Sequence, residues 1–406
     1  MRILYVVHQF FPEYGGGTEH VTLNLAKAAQ RDGHYAEVLT ITVGEAPAKP
    51  GYTVEGVPVF AIGQAVGDAP LQLGYGQEGS LTERVERYLD SRPGFDAVHV
   101  MHAFRLVEAV EVLARRRIPY AVTLTDFFTI CHRINLVRLN GELCPGPERG
   151  AACANYCRIP LVEEDAYGER YERLAGLLRQ ASAVVAVSEY VAERYREQVP
   201  GLKVLVVGNG VDLLKFGPPQ PRAADRPLTF GYLGTVSEAK GADLLAAAFA
   251  HAAPQGAVLR IVGPCYDDAL AEKIRGFGPA ISLEGPVAAD AVPAVLTGFD
   301  VLCVPSQVPE SFSLALHEGF AAGLPALVSD LGNIGQVVAR HGCGRVVAPA
   351  SSLESWAEAI GDTAARPKAL DGWREALPLP LRSEEEAFFY SQLYRGLAQL
   401  RSPAAA

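Results

Sequence analysis

The chain has 406 residues, enough for two hydrophobic cores and more than one core ordinarily holds. Hydrophobic residues make up 49% and charged residues 20%, which excludes a disordered or low-complexity chain. The formal net charge of −10 argues against general nucleic-acid binding, and no run approaches the roughly 18 apolar residues of a membrane-spanning helix.

The opening MRILYVVHQF has too short an apolar run for a signal peptide and no small-residue cleavage site behind it, so it reads as a first strand over Arg2–His8. A cytoplasmic location follows as an expectation. Further β-branched runs at Tyr35–Thr42, Ala97–Val100, Tyr120–Leu124, Ala183–Val187 and Val204–Val207 alternate with helical periodicity. The helices are expected near Thr18–Arg31, Leu81–Leu89, Arg105–Arg117, Tyr167–Gln180 and Glu189–Gln198. Strands that are apolar on both faces and joined by helices predict a parallel, doubly wound α/β sheet. The row Arg115–Arg117 reads as an ordinary helix end or as a face toward an anionic acceptor or a membrane surface.

Cys131, Cys144, Cys153 and Cys157 lie in one Gly/Pro-containing stretch with the spacing C-x12-C-x8-C-x3-C. The set suits a structural zinc or a reversible cross-link, or else separate thiols in a tight loop; it lacks the paired knuckles of familiar zinc modules. Cys265, Cys303 and Cys343 sit in or beside apolar strands and read as buried thiols.

Residues 209–221 are rich in Gly, Pro and polar side chains and mark a domain boundary. The pattern then restarts, with strands at Leu228–Leu233, Val258–Val262, Ile281–Glu284, Val301–Val304, Ala326–Ser329 and Arg345–Val347. Helices are expected near Ala242–His251, Ala269–Arg275, Ala291–Leu296, Ala315–Ala322 and Leu353–Ile360. The tail at 384–400 shows Phe388, Leu393 and Leu397 as an apolar stripe in search of a surface. The organisation expected is an N-terminal domain over 1–210 joined by a C-terminal helix at 381–400, and a second domain over 216–380. Open α/β sheets take ligands beyond the carboxyl ends of their strands, so a cleft between two such domains would receive a donor from one and an acceptor from the other.

Two segments carry chemistry. In GYLGTVSEAKG a strand runs into Gly234, and Lys240 stands just before a helix, where bunched amides and a full positive charge attract phosphate oxygens. In PSQVPESFSLALHEGF, Glu310 lies in a loop and Glu318 in the helix that follows, with the amides near 312–314 free at its start. If 310–318 were helical throughout, the two carboxylates would stand about 12 Å apart along the axis, close to the reach from a sugar across a diphosphate to a ribose. That arrangement suits a nucleotide-sugar; the plain alternative is a pair of surface carboxylates.

Taken with FPEYGGGTEH (11–20), DAVHVMH (96–102), VSEYVAERY (187–195) and NGVDLLKF (209–216), these blocks resemble, in order, family 4 of the glycosyltransferases, a retaining group of GT-B architecture. The resemblance covers nearly the whole chain. It implies two Rossmann-like domains facing across a cleft and a C-terminal helix returning to the first. It places Gly16 and Gly17 near the donor diphosphate or sugar and His102 near the reaction centre. It makes Lys240 the diphosphate-binding lysine, puts Glu310 on the donor sugar and Glu318 on the ribose, and adds Thr235, Gly263 and Ser311, Phe312, Ser313 and Leu314 to the donor site. Asp126 is expected to meet an acceptor hydroxyl, and His99 to orient a strand end. Three departures stand out: Thr235 where relatives commonly carry arginine, Thr125 where they often have histidine, and Gly335–Gln336 where proline and glutamate are usual.

The activity implied is transfer of a hexose-type sugar from a UDP-, GDP-, ADP- or dTDP-sugar to a hydroxyl on a small molecule, a glycan or a lipid-linked acceptor. No catalytic metal or other cofactor is implied, and no Asp-x-Asp motif accompanies the diphosphate cradle. The alternatives are an epimerase or a phosphorylase of the same architecture, or a non-catalytic binder of sugar nucleotides.

Overall fold

Two parallel sheets organise the chain. The computed structural model describes residues 1–43, 50–64, 73–74, 80–217 and 226–401, so the boundary segment 209–221 is described only as far as Gly217. It divides into two compact units: Met1–Asn209 with the C-terminal segment from Ser383, and Gly210–Arg382.

In the first unit the strands are β1 (Arg2–Val6), β2 (Tyr35–Val43), β3 (Gly51–Val54), β4 (Val57–Gln64), β5 (Ala97–Val100), β6 (Tyr120–Leu124), β7 (Ala183–Ala186) and β8 (Leu205–Val206). Their order across the sheet is β3-β4-β2-β1-β5-β6-β7-β8. All pairings are parallel except β3–β4. That antiparallel pair is absent from the expected elements. Its turn is Glu55–Gly56 with φ of 46° and 83°, the two left-handed residues of a two-residue hairpin. The helices are α1 (Gly17–Arg31), α2 (Ser80–Asp90), α3 (Val107–Arg115), α4 (Ala151–Tyr156), α5 (Glu164–Gln180) and α6 (Glu189–Gln198).

The second sheet runs β11-β10-β9-β12-β13-β14, parallel throughout. Its strands are β9 (Leu228–Leu233), β10 (Ala257–Val262), β11 (Ile281–Glu284), β12 (Val301–Val304), β13 (Ala326–Ser329) and β14 (Gly344–Val347). Helices α7 (Ala242–Ala252), α8 (Asp268–Arg275), α9 (Val292–Thr297), α10 (Leu314–Ala321), α11 (Asn333–His341), α12 (Leu353–Ala365) and α13 (Ala369–Glu375) complete the unit. One core, around Phe230, Phe249 and Trp356, fills one face of the sheet; a second, around Phe299, Leu316 and Phe320, fills the other. Burial on both faces is why these strands read as continuous apolar runs rather than alternating ones.

The last helix, α14 (Ser383–Arg401), belongs to the first unit. Its inward face keeps Leu397 of the expected stripe but not Phe388. Phe388 points outward at 67% exposure, while Glu386, Tyr390, Tyr394 and Leu397, spaced four, four and three residues apart, are buried. The tyrosine hydroxyls explain the choice. Tyr394 bonds His99 Nδ1 at 2.8 Å, Tyr390 bonds Thr123 Oγ1 at 2.9 Å, and His99 Nε2 closes the chain to Thr123 at 2.7 Å. His99 is fully buried, and loss of water pushes its pKa down to about 3, so it is a neutral link in this network. No described helix is long and apolar enough to cross a membrane.

Candidate functional site

In each sheet the strand order reverses beside the first strand: between β1 and β5 in one, between β9 and β12 in the other. Ligands of doubly wound sheets bind at such switch points, outside the carboxyl ends of the strands. The residues singled out in the sequence follow those strands: Gly16–Gly17 after β1, His102 after β5 and Asp126 after β6; Thr235 and Lys240 after β9, Gly263 after β10 and Glu310 after β12.

In the second unit, β9 is followed by Gly234 (φ 147°) and β10 by Gly263 (φ 146°), conformations that L side chains rarely adopt. They lie so close that a Cβ on Gly263 would stand 1.9 Å from the Gly234 carbonyl oxygen. Thr235 is exposed, and its carbonyl accepts the Tyr232 hydroxyl at 2.6 Å. Ser237 caps the turn Glu238–Lys240, and Gly241 (φ 70°) then starts α7. The Ala239 carbonyl accepts the Gln307 N–H at 2.9 Å, locking this loop to the one after β12. A Cβ on Gly241 would lie 2.0 Å from the Pro305 carbonyl oxygen. Gly241→Ala is therefore expected to cost about 3 kcal/mol and to separate the two loops, measured as a lower midpoint of thermal unfolding.

That locking brings together residues seventy positions apart. Lys240 Nζ lies 2.6 Å from Glu310 Oε1, and Ser306 Oγ donates to the same oxygen at 2.5 Å. Glu310 Oε2 has no partner among the described residues. The lysine side chain is 42% exposed and the glutamate 11%, so the pair sits at the surface with the carboxylate recessed beneath the cation.

Glu310 is not on a helix. It pairs with Gly332 in an isolated parallel bridge, and its carbonyl accepts the Asn333 N–H at 2.8 Å. Glu310 thus lies in the loop and Glu318 in the helix from Leu314, as expected, and the spacing of about 12 Å for a helix over 310–318 does not apply. The break is Ser313, whose φ of 70° is unfavourable for a residue with a Cβ and whose Oγ accepts the Leu316 N–H at 3.3 Å. The Leu314 and Ala315 amides are left without acceptors among the described residues. His317 Nδ1 donates to the Ser313 carbonyl at 2.9 Å, and its ring stacks on Phe312 at 3.9 Å and 8°. Sequence reasoning missed His317, Ser306 and Gln307, all within the block it had marked. The Glu318 carboxyl, on the first turns of α10, has no hydrogen bond to described residues, and burial pushes its pKa up to about 7, with Lys215 acting against that.

In the first unit, α1 begins directly after Gly16. Glu19 Oε2 accepts the Gly16 N–H at 2.8 Å, so that amide is already used, while those of Gly17 and Thr18 have no acceptor among the described residues. A Cβ on Gly16 would meet that carboxylate oxygen at 2.7 Å. Glu19 is 2% exposed, and burial raises its pKa.

His102 is also buried. Its Nδ1 accepts the Phe104 N–H at 3.1 Å, so Nε2 carries the proton and donates to Asp126 Oδ2 at 2.7 Å. The other Asp126 oxygen accepts the Phe128 N–H at 2.8 Å. Both ring nitrogens of His102 are therefore occupied, and Asp126, 29% exposed, is the more open member of the pair. The His8 ring lies 4.2 Å from that of His102, and burial, with His102 and Arg105 nearby, lowers its pKa to about 2. The Thr125 hydroxyl is buried without a partner among the described residues. The patterns that could reveal His8 and Glu19 are HQFFPEY and GGGTEH, beside the glycines of the same loop.

The four clustered cysteines are free thiols, and among the described residues no three His, Cys, Asp or Glu side chains stand together as a metal-ligand group.

Two family models match the chain: "Glycosyl transferase 4-like domain" over residues 16–210 and "Glycosyl transferases group 1" over 227–365. The phosphatidyl-myo-inositol mannosyltransferase of Mycolicibacterium smegmatis is 26% identical over 378 residues, covering 89% of this chain and 84% of that protein. Among solved structures, sucrose-phosphate synthase from Thermosynechococcus elongatus superposes with a TM-score of 0.70 at 18% identity, over 98% of both chains. HepE of Anabaena, in complex with UDP and glucose, superposes at 0.69 with 17% identity, covering 97% of this chain and 99% of that one. The architecture is GT-B, and the enzyme is a glycosyltransferase. The chain belongs to family 4 of the glycosyltransferases.

Proposed function

We propose that this enzyme transfers a hexose-type sugar from a nucleoside diphosphate sugar to an acceptor hydroxyl with retention of anomeric configuration. The observation that carries the reading is the Lys240–Glu310–Ser306 constellation at the β9/β12 switch point, set beside the unpaired amides at the start of α10. On this reading the second unit is the donor domain and the first unit the acceptor domain.

As the glycosidic bond breaks, negative charge grows on the β-phosphate. Lys240 and the Leu314 and Ala315 amides offset it, Thr235 adds a hydroxyl where relatives commonly place arginine, and Gly234 and Gly263 let the chain approach closely. Glu310, held by Lys240 and Ser306 through one oxygen, offers the other to a sugar hydroxyl. Glu318 accepts from the ribose hydroxyls. The acceptor proton passes to the departing phosphate, so the reaction balances without a dedicated base. His102, anchored at both nitrogens, positions Asp126, whose exposed edge meets the acceptor. HepE, crystallised with UDP and glucose, supports testing a uridine nucleotide first. The mannosyltransferase relative supports a lipid-linked inositol among the acceptors to try, alongside small molecules and glycans.

The test is incubation of the enzyme with UDP-, GDP-, ADP- and dTDP-hexoses and a panel of such acceptors, followed by NMR of the product. Release of nucleoside diphosphate with a new glycosidic bond of the donor's configuration supports the reading. An inverted product, a sugar isomerised without acceptor, or a strict need for inorganic phosphate would each overturn it.

A further inference from the structure

Ser313 stands at φ 70° and ψ 93°, beyond even the small left-handed region open to residues with a Cβ. Such a conformation persists only where the surroundings over-determine it. The Ser313 Oγ accepts the Leu316 N–H at 3.3 Å. Its carbonyl accepts the His317 N–H at 3.4 Å and, at 2.9 Å, the His317 Nδ1–H. The His317 ring in turn stacks on Phe312 at 3.9 Å and 8°, and meets Phe320 edge-on at 5.8 Å and 68°.

Helix α10 is the fixed body in this arrangement. Leu316 and Phe320 belong to the core on one face of the second sheet. Gly319 lets the helix lie against β12, since a Cβ there would stand 2.7 Å from the Leu302 side chain. His317 fastens the preceding loop to that body by one bond and one stack. A leucine or phenylalanine at 317 would fill the same space but could not hold the Ser313 carbonyl, which needs a donor. Burial lowers the His317 pKa against the opposing effect of that bond, so the ring is neutral with its proton on Nδ1.

We infer that His317 is a positioning residue for the sugar donor: by holding Ser313 in its strained conformation it fixes the loop 310–313, which carries Glu310 and ends at the open Leu314 and Ala315 amides. The role rests on the second unit being the donor domain, where Lys240, Glu310 and Ser306 define the site independently of the helix start. The far end of the loop is already pinned, because Glu310 pairs with Gly332 and its carbonyl accepts the Asn333 N–H. Ser313 is therefore the place where the loop can still change course. Released from His317, it relaxes toward negative φ and turns the two amides away from the diphosphate.

The experiment is calorimetric titration of UDP, GDP, ADP and dTDP into the full-length enzyme, Lys240→Ala, His317→Phe, and His317→Phe combined with Ser313→Gly. Each protein is first shown to unfold cooperatively on heating. His317→Phe keeps the ring and loses the N–H, and glycine at 313 reaches the required backbone conformation with far less strain. The expected result is binding about tenfold weaker in His317→Phe, recovering to within about threefold of the unaltered enzyme when Ser313→Gly is added. Unchanged binding in His317→Phe, or a loss that glycine does not restore, would make His317 a space-filling residue and overturn the inference. Weaker binding in Lys240→Ala beside unchanged binding in His317→Phe leaves the donor domain standing and removes this role alone; binding of none of the four by the unaltered enzyme removes both. Should the phenylalanine variants fail to fold, nitrogen NMR of the histidine rings in the unaltered chain at neutral pH decides. A ring protonated at Nδ1 whose resonances shift on saturation with the nucleotide that binds is expected, and the absence of any such ring would overturn the role.

Discussion

Lys240→Ala is expected to lower kcat/KM by about 10²–10³, the usual effect of deleting one donor aimed at charge that develops in the transition state. Lys240 supplies the full positive charge in the proposed diphosphate cradle, and Thr235 brings only a hydroxyl to the position where relatives commonly add a second. Lys240 also fixes Glu310, so its loss frees the carboxylate as well as removing the cation. Because the lysine side chain is 42% exposed, the ion pair itself contributes little to folding, on the order of 1 kcal/mol or less. Activity should therefore collapse while the unfolding midpoint moves little. Unchanged kcat/KM in a folded Lys240→Ala enzyme would remove the lysine from the site.

Glu318→Gln is expected to act in two opposite directions. The native carboxyl, pushed up to about 7 by burial, holds its proton more tightly folded than unfolded. Stability of the free enzyme must then fall as pH rises from the ordinary carboxyl range near 4.5 through about 7, where the folded chain finally ionises. Glutamine abolishes that penalty, so above pH 7 the variant should be the more stable protein by roughly 1–3 kcal/mol. Nucleotide binding should move the other way. Ribose hydroxyls donate best to an ionised carboxylate, so affinity in the unaltered enzyme should rise with pH through about 7. In the glutamine variant affinity should be about tenfold weaker and flat with pH. Thermal unfolding and nucleotide titration at pH 6 and pH 8 read both effects. Parallel pH dependence in the two proteins would show that Glu318 does not meet the nucleotide.

Most strands could be read from the sequence because a sheet buried on both faces leaves β-branched runs that little else imitates. The β3–β4 hairpin escaped because Glu55–Gly56 resembles an ordinary loop, although two left-handed residues there turn the chain back on itself. Helix α11 escaped because it opens on Gly332, a residue kept small by Glu310: a Cβ there would stand 2.4 Å from the Glu310 carbonyl oxygen. The expectation that Phe388 faces inward on α14 fails for a different reason. Hydropathy favours Phe388, but Tyr390 and Tyr394 can satisfy Thr123 and His99, which no phenylalanine can.

The candidate site divides in the same way. The residue types and order of Lys240, Glu310 and Glu318 were legible, since they lie in compact blocks after strands. That Lys240 meets Glu310 was not, because it depends on Gly241 lying against Pro305 and on Gln307 bonding Ala239. Nor was the His102–Asp126 pair, set by adjacent strands whose ends lie twenty-four residues apart. These couplings are properties of the fold, and no local pattern records them.

The measurement that bears most directly on the central claim is calorimetric titration of UDP, GDP, ADP and dTDP into the intact protein and into Lys240→Ala. The account predicts saturable binding of at least one nucleoside diphosphate, weakened at least tenfold in the variant. Binding of none of the four, or equal binding by both proteins, would contradict it.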